Sequence, residues 1–290
     1  MPQVVKTAVS GGKPAGAKKA ATSLLSQAEK VEFPAGLGLK IALYGRSGSG
    51  KTTLASTFPG QILYLTCDGG ANTLGELRSV FTPDNVKKIK RFNMTESSQL
   101  RQFAEELQSN NLFSTVVLDT ATSYQHLILR ELLELDELPP QLSWGIASQQ
   151  QWGQCSLQTL ENLRCILNTD KNVVIIAQER EFEPLMEGGT AVMPYIGPAM
   201  TPKAVGWLNA AVDYLGQTFI RKEVKDVKTM MAGKEKVTQK ETGKFEYCLR
   251  VGPHDMFTTK FRLPNASLDS IVSPTYAKIM DMISKGGGVV

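Results

Sequence analysis

The chain has 290 residues, 42% of them hydrophobic, enough to bury a sizeable core in one large α/β domain with appendages or in two small ones. Its formal charge of +4 is local: of 32 basic and 28 acidic residues, five lysines and one glutamate lie in the first 30 positions, and the rest balances at 27 of each. A uniformly basic, polyanion-binding body is thereby excluded, and any nucleic-acid site in the folded part must be a local patch.

In chain order, residues 1–30 are rich in Ala, Gly, Lys and Ser, which bury too little apolar area to offset the entropy of ordering. A flexible basic tail is expected there, with Leu24 to Lys30 as a short helix. The domain proper is expected over 31–285, followed by a loose GGGVV end at 286–290. Lys40 to Tyr44 (KIALY) reads as a buried strand. It runs into GRSGSGKT, Gly45 to Thr52, which fits G-x-x-x-x-G-K-[ST]. Glycines at Gly45, Gly48 and Gly50 let consecutive N–H groups turn toward anionic oxygens, and the helix expected over Thr52 to Thr57 adds its positive end. Lys51 supplies a cation to the β and γ phosphates and Thr52 a hydroxyl to Mg²⁺. Nucleotide contacts are therefore expected from Gly45, Arg46, Ser47, Gly48, Ser49, Gly50, Lys51, Thr52 and Thr53, with ATP or GTP as ligand.

A second strand over Ile62 to Cys67 ends at Asp68, ahead of Gly69 and Gly70. Asp68 is either a water-activating carboxylate at the sheet's carboxyl edge or an aspartate that starts a turn. A strand at Lys88 to Asn93 and a helix at Ser97 to Gln108 follow. Next comes TVVLDT, Thr115 to Thr120, an apolar strand ending in Asp119, whose carboxylate is expected to hold Mg²⁺. Helices are expected at Thr122 to Glu134 and Gln151 to Leu167, separated by the segment Leu138 to Trp152, whose tryptophans either anchor the next helix or, as the family resemblance implies, touch DNA. Asn172 to Gln178 (NVVIIAQ) is a strand with an amide at the same edge, a γ-phosphate sensor or a strand cap. A long irregular loop is expected over Glu179 to Lys203.

Beyond 205 the pattern becomes an antiparallel hairpin, Asp213 to Lys228 and Phe245 to Val251, turning near Ala232 and Gly233. Its interleaved lysines and acids describe a solvated hairpin or a nucleic-acid-facing patch. Strands alternating with helices imply an α/β fold, a mainly parallel sheet flanked by helices and extended over 205–265 by the hairpin. Cys67, Cys155, Cys165 and Cys248 form no C-x-x-C pair and His126 and His254 are the only histidines, so zinc-site spacing is absent. No apolar run approaches ~18 residues, so a soluble intracellular protein without a membrane partner is expected.

A phosphate-loop strand, a strand ending in an acid, a strand before a Ser-initiated helix, the Asp119 strand and a strand ending in Gln resemble the RecA-like P-loop NTPase core in chain order. The CDGG after the second strand and the late TTKFR look like the phage RecA-like AAA ATPases, the group that includes the Sak-type single-strand annealing recombinases. The resemblance covers about residues 38 to 265 and implies the following. Asp68 takes the place of the family's catalytic carboxylate, commonly Glu, with a shorter reach. Gln178 is the sensor coupling nucleotide state to the 179–203 loop, whose counterpart touches single-stranded DNA and in which Arg180, Tyr195 and Lys203 offer charge and a ring. Lys260 and Arg262 are a basic pair reaching a neighbouring subunit's γ-phosphate, or else surface charges. The implied protein is a DNA-dependent ATP hydrolase using ATP and Mg²⁺ in the cytoplasm of a bacterial host cell. It acts in phage recombination and replication, binding single-stranded DNA as a ring or filament, with a single-strand-binding or other replication protein as a further partner. The alternatives are a helicase loader or motor, a small-molecule kinase, or a non-hydrolysing nucleotide switch.

Overall fold

The computed structural model describes residues 38–67, 87–136, 147–183, 186–187, 190–191, 194–231, 234–261 and 269–285. The chain divides between Ala35 and Gly36, and the described residues belong to the second part. The expected tail over 1–30, Asp68, Arg262, most of the 138–152 segment and the 286–290 end lie outside the described residues.

Runs that are apolar on both faces become the inner strands of a parallel sheet, because only a strand covered above and below has no use for alternation with polar residues. β1 (Lys40–Gly45), β2 (Gln61–Thr66), β3 (Ile89–Asn93), β4 (Phe113–Asp119) and β5 (Asn172–Phe182) lie in the order β1-β5-β4-β2-β3, all parallel. β3, with its more polar IKRFN sequence, takes the edge.

Side-chain alternation divides the core into two layers. Ala42, Tyr44, Leu63, Leu65, Val116, Leu118, Val173 and Ile175 pack with buried residues of α2 (Ser98–Ser109), α3 (Ala121–Leu132), α4 (Gln149–Leu167) and α5 (Pro202–Ala211). Ile41, Leu43, Ile62, Tyr64, Val117, Val174 and Ile176 pack with α1 (Lys51–Ser56) and α6 (Tyr276–Ser284). Ser148 starts α4 with a reciprocal cap: its hydroxyl accepts from Gln151 N at 3.2 Å while Gln151 Oε1 accepts from Ser148 N at 2.8 Å. That cap starts the helix two residues before the expected Gln151.

Beyond β1 the sheet continues with β9 (Tyr214–Met231), parallel to β1, then β10 (Lys234–Arg250), antiparallel to β9, and β12 (Ser270–Val272). The hairpin is longer than its hydrophobicity indicates, because β10 begins 11 residues before the expected Phe245. Its register shifts between Glu241 and Phe245, where Gly243 takes φ +79°, and that bulge together with the lysines and acids hides the strand from an apolar-pattern reading.

The layer under α2, α3 and α4 contains a closed polar knot. Tyr124 Oη donates to Ser97 O at 2.7 Å and accepts from Asn162 Nδ2 at 2.7 Å, and Glu131 accepts from Ser97 N at 2.6 Å. Tyr124→Phe removes one donor and one acceptor from a buried network, and urea unfolding is expected to show a loss of about 1–3 kcal/mol with an unchanged m-value.

Candidate functional site

The site is built where β1 ends. Gly45 is held against β9 so closely that a Cβ there would lie 2.3 Å from Thr218 O and 2.5 Å from Thr218 Oγ1, and Ser49 Oγ shares a 2.6 Å hydrogen bond with the same hydroxyl. Gly50 takes φ +92° immediately before α1, a conformation side chains rarely adopt. The turn aims Lys51 back over the loop: its Nζ donates to Gly45 O at 2.7 Å and Arg46 O at 2.8 Å, and the residue is only 7% exposed. Burial holds the Lys51 ammonium below the usual lysine range, opposed by the nearby negative charges of Asp119 and Glu179.

Thr52, the next residue, donates its hydroxyl proton to Asp119 Oδ2 at 3.1 Å, which joins the phosphate loop to the end of β4. A buried phenol, Tyr64 of β2, donates to the same oxygen at 2.7 Å. The Asp119–Thr120 peptide is cis. Thr120 then caps α3, its hydroxyl accepting from Ser123 N at 3.0 Å. β5 lies between β1 and β4, with Gln178 opposite Gly45 and Ile176 opposite Asp119. Since Tyr64, Val117 and Ile176 point into the α1 layer, alternation puts Asp119 and Gln178 on that same face at the carboxyl rim. Gln178 N donates to Thr122 Oγ1 at 3.1 Å, while its side chain is exposed.

Glu179, one residue on, faces the other way. Its carboxylate accepts from Arg46 Nε at 2.8 Å and from Gln217 Nε2 at 3.2 Å, and Gln217 Oε1 accepts from Arg250 Nε at 3.1 Å. The Arg250 guanidinium sits 4.7 Å from the Phe219 ring and 4.6 Å from that of Phe257. Arg46 is 87% exposed, so the ion pair fixes the position of the loop's second residue more than it stabilises the fold. Glu179 stands at the start of the expected loop, and nothing in the sequence pattern points to Gln217 or Arg250. The alternation of NVVIIAQEREF through to the buried Phe182 was the available signal for the first, and the other two depend on non-local pairing.

Several expected residues occupy other roles. Lys260, in β11 (Lys260–Phe261), donates to Asn209 O at 2.5 Å, Ala210 O at 3.0 Å and Val212 O at 2.7 Å. This ammonium caps the C-terminal carbonyls of α5, a helix end that favours a cation. The segment after Gln178 is less irregular than expected, because Glu179–Phe182 pairs antiparallel with β8 (Tyr195–Pro198), and β6 (Met186–Glu187) pairs antiparallel with β7 (Thr190–Ala191). The Tyr195 ring stacks on Phe182 at 4.7 Å and 11° and so is taken up in that pairing, while Arg180 lies 5.4 Å above the Phe182 ring. Lys203 is exposed in the first turn of α5. Trp152 packs on the core, the anchoring alternative of the two considered for it.

The donor set fits a hard divalent cation. One carboxylate and one hydroxyl in contact, beside a loop shaped for phosphates, match the habit of Mg²⁺ of taking few protein ligands and completing its shell from phosphates and water. Among the described residues no group of three or more His, Cys, Asp or Glu is gathered into a self-sufficient metal site. Among them, too, no helix is long and apolar enough to cross a membrane.

A parallel sheet with Lys51, Thr52 and Asp119 gathered at its carboxyl rim defines a P-loop nucleotide-binding ATPase domain. A family model described as an AAA domain matches residues 37–263, and the chain belongs to that family. No relative among curated proteins matches the sequence.

Proposed function

We propose that this protein is a Mg²⁺-dependent ATPase of phage DNA recombination and replication that binds single-stranded DNA as a homo-oligomer and promotes annealing or strand pairing. The observation that carries the reading is the continuity of β5. Gln178 stands on the phosphate-loop face, and the same strand runs on through Phe182 into pairing with β8, the segment whose resemblance is to a DNA-contacting loop. A change at the γ-phosphate position therefore has a short covalent path to that segment.

In this reading Lys51 brings positive charge to the phosphates and Asp68 orients the attacking water. Thr52 and Asp119 would hold magnesium, which would supply positive charge to offset that of the transferring phosphoryl group. Gln178 reports whether a γ-phosphate is present. Lys260 and Arg262 are the candidates for a cation offered in trans. A single-strand-binding or other replication protein would join the assembly on DNA.

Fluorescence anisotropy of a labelled single-stranded oligonucleotide, at physiological salt and with a non-hydrolysable ATP analogue or ADP, tests this. The two nucleotide states are expected to differ in DNA affinity by about 5–150-fold, the usual range of coupling between sites. Gln178→Ala is expected to erase that difference while leaving ATP affinity within about threefold, a change of under 1 kcal/mol. A protein that leaves DNA unbound in every nucleotide state contradicts the reading, and a stable complex with a replication protein in its place would make it a loader.

A further inference from the structure

No phosphate-loop pattern calls for a tyrosine on the second strand, yet Tyr64 is tied to the centre of the site. Its ring fills the α1 layer among Leu54, Ile62, Val117 and Ile176. Its Oη donates to Asp119 Oδ2 at 2.7 Å, the oxygen that also accepts the Thr52 hydroxyl proton at 3.1 Å. A phenol facing a carboxylate oxygen at that distance is the donor of the pair, because an ionised carboxylate has only acceptors.

Two donors on one carboxylate oxygen restrict rotation of the carboxylate about its last torsion. A threonine hydroxyl that gives its proton to Asp119 also turns its lone pairs away from that carboxylate, toward the side where a cation would sit. We propose that Tyr64 is a positioning residue for the divalent cation: it holds Asp119 in the orientation in which the Thr52 hydroxyl and the carboxylate together present oxygen to Mg²⁺. A purely structural tyrosine would satisfy its hydroxyl equally well with a backbone carbonyl, as Tyr44 does with Ile196 O at 3.2 Å. The proposal rests on the nucleotide-site reading above.

Tyr64→Phe keeps the ring and removes the donor. ATP affinity is measured calorimetrically in EDTA and across a Mg²⁺ titration, for the unaltered protein and the variant. In EDTA the two are expected to agree, while the Mg²⁺ concentration giving half of the metal-dependent tightening rises about tenfold in the variant, the low end of the usual effect of losing an outer-shell partner. In an Asp119→Asn background the same substitution is expected to have no Mg²⁺ effect. Equal Mg²⁺ dependence in unaltered protein and variant overturns the proposal, as does an equal loss of affinity in EDTA. Should the variant not fold, the unaltered protein carries the test. Mg²⁺ added to its ATP complex is expected to perturb the near-ultraviolet absorbance of a buried tyrosine, and an unchanged spectrum overturns the proposal. If the unaltered protein binds no nucleotide at all, the nucleotide-site reading fails and the proposal falls with it.

Discussion

Lys51→Ala is expected to weaken ATP binding at least 100-fold, about 2.8 kcal/mol, and to remove turnover. Two contributions combine. The ammonium is the one loop side chain whose charge is buried beside the phosphate cradle, and charge-assisted hydrogen bonds of this kind are worth about 1.5–3 kcal/mol each. Lys51 also donates to Gly45 O and Arg46 O, so its loss leaves two loop carbonyls without that partner and loosens the loop as well as discharging it. Calorimetry with ATP and phosphate release checks both parts. The lowered affinity of Lys51 for its proton adds a pH signature. Burial favours the neutral amine, whereas bound phosphates favour the ammonium. Nucleotide affinity is therefore expected to fall as pH rises toward 10.5, the ordinary lysine value, starting below it, with uptake of a proton on binding. A variant that binds and turns over ATP normally would show that the phosphate loop is not the nucleotide site.

Asp119→Asn is expected to have the second-largest effect, and a differently shaped one. The side chain keeps its size but loses its charge. Its carbonyl oxygen can still accept from both Tyr64 and Thr52, as Asp119 Oδ2 does, but without a negative charge, and an amide turned the other way would set N–H groups against two hydroxyls. Nucleotide affinity in EDTA is expected to stay within about threefold, because no metal bridges protein and phosphate there. Mg²⁺-dependent turnover is expected to fall by more than about 100-fold, beyond the 10–100-fold range typical of an outer-shell partner. Hydrolysis rates over a Mg²⁺ series distinguish this from Lys51→Ala, which fails with and without metal. Normal turnover at low Mg²⁺ would remove Asp119 from the metal site.

What the sequence makes legible follows the range of the interactions involved. KIALY, ILYLT, TVVL and VVII are strands because each buries both faces, a property carried by the residues themselves, and the structure gives β1, β2, β4 and β5 there. Thr52 and Asp119 can be paired on paper because each ends or follows such a run, and their hydrogen bond at 3.1 Å joins positions 67 residues apart. Tyr64 cannot: a tyrosine in an apolar run reads as core, and only the neighbouring strand shows that its hydroxyl reaches Asp119. The carbonyls that Lys260 meets are equally hidden from the sequence, because they belong to a helix, α5, that Pro202 and Gly206 obscure. α6 is likewise hard to see in the sequence, since the nine residues YAKIMDMIS are too short to be a stable helix without Thr275 capping Lys278 N and Ile279 and Met282 docked on the α1 layer.

Steady-state phosphate release from ATP in Mg²⁺, with and without saturating single-stranded DNA, tests the central claim most directly. The account predicts turnover in the unaltered protein that rises on adding DNA and is absent in Lys51→Ala. Phosphate release from the unaltered protein that stays at the Lys51→Ala background, DNA present or not, would contradict it.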